Sequence, residues 1–335
     1  MKGFVRHGMI GLACLLVMMT QVGCSTIDED LSDCPPEGND YEMVYELQLV
    51  TNITTELQTQ LTTPTEQRVA DALYNHLTNV FTAYAQDIDL SFYDVDEERE
   101  LLHHESHDMN DDEKSYELYL PKHQYRHLAL ANLEDNSWVK KEGGEQSSTL
   151  TLQQKKAETV ESHETGLFTA RTDMDVKEGE DQTFHVNLFM ANSAAALVID
   201  PRGQQVKKVE VFSTGFATGF NVNDSTYTFA EKDPLVRTKS VATGTDQLCF
   251  CSVNFPSRTE AEDGKALWEF RVYVTLDDGS VTETVLSIYE PLKPGELKIV
   301  KAYLDEEGVA HPTDSKVGVS VTLDWSDGGH YEPEL

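Results

Sequence analysis

Cys24 is the residue whose surroundings in the sequence predict a definite chemical fate. It directly follows Gln21-Val22-Gly23, and these residues close a segment with a basic start and an apolar core from Met9 to Met19. This order of zones is typical of a secretory signal peptide. A small residue followed by cysteine suits the lipoprotein signal peptidase, which cleaves after the thiol has been acylated. We therefore predict a signal peptide over 1–23 and lipidation, palmitate included, at Cys24.

The predicted anchor is made of acyl chains and not of protein. The segment Met9–Met19 is well short of the roughly 20 apolar residues that span a bilayer as a helix. Each buried methylene contributes about 0.8 kcal/mol, so the several chains of a lipidated cysteine suffice for stable anchoring. The alternative is a secreted protein in which Cys24 forms a disulfide. Gln21 is the departure from the usual lipoprotein signal, which carries an aliphatic residue there.

A histidine-rich segment, His103–Asp108, has the residue types of a transition-metal site. Metal ligands need neighbouring groups that fix their orientation, and a solvated loop does not provide them. The segment also fails as an EF-hand loop because Glu113 stands where glycine is required. We interpret residues 103–113 as a loop between strands and predict no metal site.

Three further cysteines remain after signal removal, namely Cys34, Cys249 and Cys251. The last two are two residues apart, so on a strand they face the same side and do not readily bond to each other. A bridge from Cys34 to either of them is one possibility. Buried thiols acting as small apolar side chains are the other. The sequence leaves both open.

Motifs for nucleophilic or nucleotide chemistry are missing from the sequence. It contains no Gly-x-Ser-x-Gly elbow, no phosphate-binding glycine loop of the Gly-x-x-x-x-Gly-Lys kind and no His-Glu-x-x-His. Carboxylate pairs are uninformative in a chain with 59 acidic residues. We predict no catalytic residues, no cofactor and no small-molecule substrate, and hence no enzyme.

The charge of the chain restricts its partners. With 26 basic and 59 acidic residues, the formal net charge is −33. A field of this sign repels nucleic acid and anionic lipid headgroups. We exclude a nucleic-acid partner and expect membrane contact through the lipid alone.

The apolar pattern predicts a mainly β protein. An acidic, Pro- and Gly-containing tether is expected over 24–40, followed by alternating strands and one helix from Thr65 to about Ala85, with Pro64 at its entrance. Residues 140–165 are interpreted as an exposed loop. Strands at regular spacing favour antiparallel β-sandwiches. We place a boundary near residue 180, which gives an N-terminal domain over 41–180 and a C-terminal domain over 181–335.

The last predicted strand carries apolar residues at every second position. Alternation of this kind places all of them on one face of the strand. They are Val317, Val319, Val321, Leu323 and Trp325.

Several segments of the chain resemble the FimB-type fimbrial anchor lipoproteins of Bacteroidales. The resemblance is carried by Cys24, the run Ile27–Pro35, the segments Tyr125–Asn132 and His163–Phe168, and the strand ending at Trp325. It implies two transthyretin-like β-sandwich domains, one helix in the first, and a lipid-bearing N-terminus in the outer membrane. It also implies a surface-exposed anchor or minor structural subunit of a fimbrium.

The resemblance implies fimbrial subunits as partners, joined by exchange of β-strands. A first strand that is tied to lipid does not easily leave its own sheet. We therefore predict that Val317, Val319, Val321, Leu323 and Trp325 engage the partner. The alternative is that this strand only closes its own domain.

Two other classes of function remain. One is a surface lipoprotein that binds glycan or host protein through the loops of a sandwich, where binding residues are often found. The other is a hydrolase whose site is assembled from scattered residues.

Overall fold

Strands dominate the fold, as the apolar alternation predicts. A computed structural model describes residues 39–48, 52–82, 85–96, 100–109, 115–178, 182–261 and 264–324, with backbone alone for 39–48, 52–55, 116 and 322–324. The predicted signal peptide, the tether up to residue 38, Cys34 and Trp325 lie outside these ranges. The predicted mainly β class with antiparallel sandwich layers is confirmed.

Twenty-two strands and two α-helices occur in the described ranges. In chain order the elements are β1 Asn39–Gln48, α1 Asn52–Gln60, α2 Pro64–Val80, β2 Asp87–Asp94, β3 Leu101–Asp108, β4 Ser115–Leu120, β5 His123–Ala131, β6 Val139–Glu142, β7 Thr151–Gln154, β8 Thr159–Glu161, β9 Phe168–Val176, β10 Gln182–Met190 and β11 Ser193–Asp200. They continue with β12 Val206–Thr214, β13 Gly219–Asn221, β14 Thr226–Thr228, β15 Leu235–Arg237, β16 Lys239–Val241, β17 Leu248–Asn254, β18 Trp268–Leu276, β19 Val281–Ile288, β20 Leu297–Leu304, β21 Ala310–Pro312 and β22 Gly318–Asp324.

Hydrogen bonding joins these strands into four sheets. The seven-stranded sheet has the order β3-β2-β5-β9-β10-β1-β4, and the six-stranded sheet has the order β22-β19-β18-β12-β15-β8. A five-stranded sheet runs β16-β17-β11-β20-β21, and a four-stranded sheet runs β14-β13-β7-β6. Strand β1 is internal to its sheet, because it pairs in parallel with β10 and antiparallel with β4.

Strand β11 shows how the layers are stacked. Its alternate residues Ala194, Ala196 and Val198 belong to the core that contains the helices and the seven-stranded sheet. The residues between them, Ala195, Leu197 and Ile199, belong to the core against the six-stranded sheet. The five-stranded sheet is therefore buried on both faces, which explains the continuous apolar run of β11.

Helix α2 confirms the helix predicted from Thr65 onwards. Thr63 and Glu66 form a capping box, in which each side chain accepts a hydrogen bond from the other residue's backbone N–H. Its buried face holds Val69, Leu73 and Leu77. The shorter helix α1 before it was not predicted, because its sequence has little apolar periodicity.

Lys301 of β20 connects the two helices to the five-stranded sheet. Its ammonium donates to the Gln60 carbonyl at 2.9 Å and to Glu66 Oε1 at 3.0 Å. Burial raises the pKa of Glu66, but the hydrogen bonds from the Thr63 backbone and from Lys301 outweigh it, so the net pKa is lowered.

Residues 140–165 form strands β6, β7 and β8, and the expectation of an exposed loop was wrong. Leu150, Leu152 and Val160 are buried. Strand β7 pairs with β13, and β8 pairs with β15. The division of the chain near residue 180 stays a prediction; β10, which begins just after it, pairs with β1 and β9.

Cys249 and Cys251 of β17 are free, buried thiols. Both contribute to the core that contains the helices, which agrees with the interpretation of buried apolar side chains. Burial raises the pKa of the Cys249 thiol to about 12 and also raises that of Cys251, so neither is a nucleophile at neutral pH.

We expect Lys301→Met to lower the free energy of unfolding by about 1 to 3 kcal/mol, because it leaves the buried Glu66 carboxylate without its cationic partner. Lys298→Met on the same strand is the matched control, since the described ionic partner of Lys298 is Glu290, an exposed carboxylate 3.6 Å away. It should stay within about 0.5 kcal/mol of the parent. Urea unfolding followed by circular dichroism measures both, and equal losses would contradict the assignment.

Candidate partner-binding edge

Strand β22 lies at the edge of the six-stranded sheet. It pairs antiparallel with β19, with Val319 opposite Leu286, Val321 opposite Thr284, and Gly318 opposite Ser287. Directly opposite residues share one face of a sheet. Leu286 and Thr284 are fully buried on the core side, so Val319 and Val321 lie on the core side as well.

Despite this position, Val319 and Val321 are uncovered. Val319 is 48% exposed and Val321 is 40% exposed. The described structure therefore contains a strand whose core-side residues are apolar and accessible.

Val319 and Val321 are exposed because the opposing five-stranded sheet does not extend as far as β22. That sheet ends at the three-residue strand β21. The hydroxyl of Thr282 donates to the Glu307 carbonyl at 2.7 Å, and the Ala310 N–H donates to the Thr284 hydroxyl at 3.1 Å. These bonds hold β21 and its preceding turn over β19. β22 is one strand further out, and none of the described strands of the opposing sheet extends over it.

The sequence of β22 also lacks the features that protect edge strands. Lysine, proline and inward-pointing charges commonly prevent an edge from pairing with another chain. β22 reads Gly-Val-Ser-Val-Thr-Leu-Asp and has none of them before its last residue. Edge strand β3, in contrast, carries three histidines and two acidic residues.

The five residues predicted to engage a partner do not share one environment. Val319 and Val321 lie on one face, as their spacing predicts, and both are exposed. Val317 precedes the strand and is partly buried against the core. The position of Leu323 pairs with Thr282 on the same face, and Trp325 lies outside the described residues, as does Cys24.

The histidine-rich segment is a strand, β3, and not the loop that we expected. On one side, Glu105 lies between His103 and His107, whose Nε2 atoms contact its two carboxylate oxygens. Within the described ranges, no group of three or more His, Cys, Asp or Glu side chains is arranged to hold a metal ion. The histidines contact carboxylates in ion-pair geometry.

Asp89 of β2 organises the other side of β3. Its Oδ2 accepts hydrogen bonds from Lys141, from Ser106 at 3.0 Å and from His104, whose Nε2 is 2.9 Å away. Burial raises the pKa of Asp89, but the hydrogen bonds from Lys141 and His104 outweigh it and the net pKa is lowered. The ammonium of Lys141 on β6 neutralises the Asp89 carboxylate and also contacts His104, so it links β6 to the edge strand β3.

Two further histidines are fully buried. His127 stacks on Phe92 with ring centroids 4.3 Å apart, and its Nδ1 is 3.2 Å from the Ser91 carbonyl. Burial lowers the pKa of His127 to about 4 and that of His163 to about 3. Both are therefore neutral, buried residues at neutral pH.

A family model described as fimbrillin-A associated anchor proteins Mfa1 and Mfa2 matches residues 31–325. The chain belongs to this family. The predicted fimbrial anchor family is confirmed, and it is a family of structural proteins and not of enzymes. The chain is accordingly an accessory subunit of a fimbrium, associated with other fimbrial subunits at the cell surface.

Solved structures share the fold at low sequence identity. A candidate polysaccharide-binding protein and a candidate adhesin, both from Bacteroides thetaiotaomicron, are 11% and 10% identical, each with a TM-score of 0.50. The matches cover 83% and 85% of this chain, and 97% of each of those chains. The fimbrial anchor protein Mfa2 from Porphyromonas gingivalis is 11% identical over 85% of this chain and 99% of its own, with a TM-score of 0.46.

No curated protein matches the sequence. Among the residues that the structure describes, no helix has the length and apolar character needed to cross a bilayer.

The buried histidines make a prediction for acid stability. In the unfolded chain these imidazoles take up a proton below about pH 6.5, whereas folded His127 stays neutral until about pH 4. Protons therefore favour unfolding in this window, and stability should fall by up to about 1.4 kcal/mol per pH unit for each imidazole. His127→Gln combined with His163→Gln should flatten the slope of unfolding free energy between pH 6.5 and 4. Parallel curves for parent and variant would contradict this account.

Proposed function

We propose that this chain is an outer-membrane lipoprotein, anchored through Cys24, that holds a fimbrium at the cell surface by strand exchange at β22. The predicted signal peptide supports lipidation at Cys24, and membership of the anchor family supports a role in a fimbrium. The exposed residues of β22 support a contact with another subunit at this strand. The single observation that carries the proposal is the exposure of Val319 and Val321 on the core side of an edge strand.

The internal position of β1 supports the C-terminal strand as the contact. β1 follows the proposed tether and is hydrogen-bonded to neighbours on both sides. Releasing it to a partner would break two rows of backbone hydrogen bonds. Among the described strands β22 pairs with β19 alone, so a partner strand can add to its other side without breaking a described row of hydrogen bonds.

A partner strand beside β22 would also supply the missing cover. Backbone groups of the added strand would pair with the free edge, while its side chains would bury Val319 and Val321. Burying apolar surface contributes about 25 cal/mol for each Å² removed from water, which adds to the backbone hydrogen bonds.

Replacing Cys24 with alanine tests the lipid. We expect Cys24→Ala to shift the protein from the membrane fraction to the medium and to release assembled fibres, because the acyl chains are the proposed anchor. Cys34→Ala is the control, since it leaves the lipid site intact. Cell fractionation and electron microscopy of the medium measure the result, and fibres that stay attached to cells would show the anchor proposal to be wrong.

Charges introduced on β22 test the contact. Val319→Lys with Val321→Lys places two ammonium groups where the partner must bury surface, so we expect affinity for the neighbouring subunit to fall about tenfold or more. Ser320→Lys, exposed on the opposite face of the same strand, is the matched control. Both variants should unfold within about 0.5 kcal/mol of the parent per substitution, because the sites are exposed.

Co-purification of the fimbrial subunits from membranes measures this contact without disturbing the lipid. Loss with the valine variant alone supports exchange at β22. Equal recovery of the fimbrial subunits with both variants would mean that the contact lies elsewhere. That result would not bear on the lipid anchor, which Cys24→Ala tests separately.

A further inference from the structure

An exposed aromatic ring lies beside the beginning of the edge strand β22. Tyr289 follows directly after β19, in which Thr284, Leu286 and Ile288 are buried. The alternation of side chains along a strand therefore places Ser287 and Tyr289 on the outer face of the six-stranded sheet. Tyr289 is 50% exposed on this face.

The ring of Tyr289 lies over Gly318, the first residue of β22. A Cβ atom added to Gly318 would be 3.1 Å from the Tyr289 hydroxyl oxygen and 3.3 Å from the ring carbon Cε2. Gly318 pairs with Ser287, so a side chain at this position would point to the outer face. The glycine therefore leaves a space that the tyrosine ring covers, an arrangement that compensates for glycine at a sheet edge.

The residue that follows Tyr289 is held in place by three contacts. The Trp268 indole N–H donates to the Glu290 carbonyl at 2.9 Å. The Glu290 carboxylate lies 3.2 Å from the Lys316 ammonium and 3.6 Å from that of Lys298. Because its backbone is anchored in this way, Tyr289 needs little ordering when another chain binds, which favours affinity.

Apolar groups therefore flank the same stretch of β22 on both faces. Val319 and Val321 are exposed on the core side, and the Tyr289 ring is exposed on the outer side, over Gly318. Among the described strands, β22 pairs with β19 alone. In a strand added to its other side, the residues opposite the two valines would face the core side. The residue opposite Gly318 would lie on the outer face, next to the tyrosine ring.

We propose that Tyr289 contacts the partner strand and sets its register along β22. The partner strand carries apolar side chains opposite Val319 and Val321, and a large aromatic or apolar side chain opposite Gly318. This inference rests on the proposed contact at β22 and adds the chemistry of the strand that this edge accepts.

The ring supplies information about register that the valines do not. A strand with apolar residues at every second position can slip by two residues and still present the same face. Gly318 is the one glycine of β22, so the ring and the open space beside it occur at a single position. A partner strand shifted by two residues towards the end of β22 would place its large outer side chain beside Ser320 and lose the contact with Tyr289.

Competition between chains in one cell tests the ring. A tagged Tyr289→Ala chain is co-expressed with the untagged parent, and the ratio of the two in isolated fimbriae is divided by their ratio in the membrane fraction. We expect this quotient to be about one third or less, because an aromatic contact changes affinity about threefold or more. Tyr74→Ala is the matched control, since it removes a ring of similar exposure, 45%, from helix α2. It should compete equally with the parent.

Two small changes separate a contact with the partner from a role within the sheet. Tyr289→Phe keeps the ring and should compete like the parent. Gly318→Ala places a methyl group where the end of the ring lies, so it should displace the ring and lower the quotient while Tyr289 itself is unchanged. Equal competition by Tyr289→Ala and Tyr74→Ala, or by Gly318→Ala and the parent, would overturn the proposal.

The same assay distinguishes failure of this inference from failure of the proposed function. If Val319→Lys with Val321→Lys is excluded from fimbriae while Tyr289→Ala competes equally, the contact at β22 stands and the role of Tyr289 is wrong. If the lysine variant also competes equally, the contact at β22 is wrong and the inference fails with it.

A photoreactive residue tests the register directly. The aromatic ketone p-benzoylphenylalanine, introduced at position 289, bonds to nearby C–H groups on irradiation. In assembled fimbriae we expect cross-links to one residue, or its immediate neighbours, on a strand of another fimbrial subunit, as identified by mass spectrometry. The same group at position 74 should give no cross-link to that strand. Cross-links spread along the partner strand would overturn the register, and cross-links to a second copy of this chain would overturn the assignment to another subunit.

Discussion

The pairing of β1 on both of its sides is the constraint on which the rest of this structure depends. It fixes the beginning of the described chain inside the seven-stranded sheet, between β10 and β4. The parallel ladder with β10 brings residues 182–190 back to the start of the chain. A contact with another subunit that adds a strand must therefore be made at a sheet edge, and among the described edge strands β22 is one of seven residues whose single charge is at its end.

Side chains of the six-stranded sheet alternate between its two faces. Inward residues such as Phe270 and Leu286 fill a core, while the residues between them, such as Arg271, face outwards. The two threonines of β19 set the limit of the core, because their hydroxyls bind the backbone around β21. One strand further out the same inward face is solvent-exposed.

Helix α2 and the apolar face of β22 were predictable because each has a clear period and, for the helix, a proline at its start. The short strands β6, β7 and β8 were not predictable, because a strand of three or four residues is too short to show an apolar period. In addition, β7 and β8 pair with strands that are distant in sequence. The sequence predicts a loop in place of β3 because polar residues occupy both of its faces. The exposure of Val319 and Val321 could not be predicted from the sequence, because it depends on how far the opposing sheet reaches in the folded protein.

The uncovered edge of β22 also has a consequence for the protein before it meets a partner. Two copies of the chain present identical β22 edges, each unpaired on one side in the described structure, and such edges can pair with each other. Repulsion between bodies of formal charge −33 opposes that encounter. Ionic strength, through its screening of this repulsion, therefore governs whether the free subunit stays dispersed or self-associates.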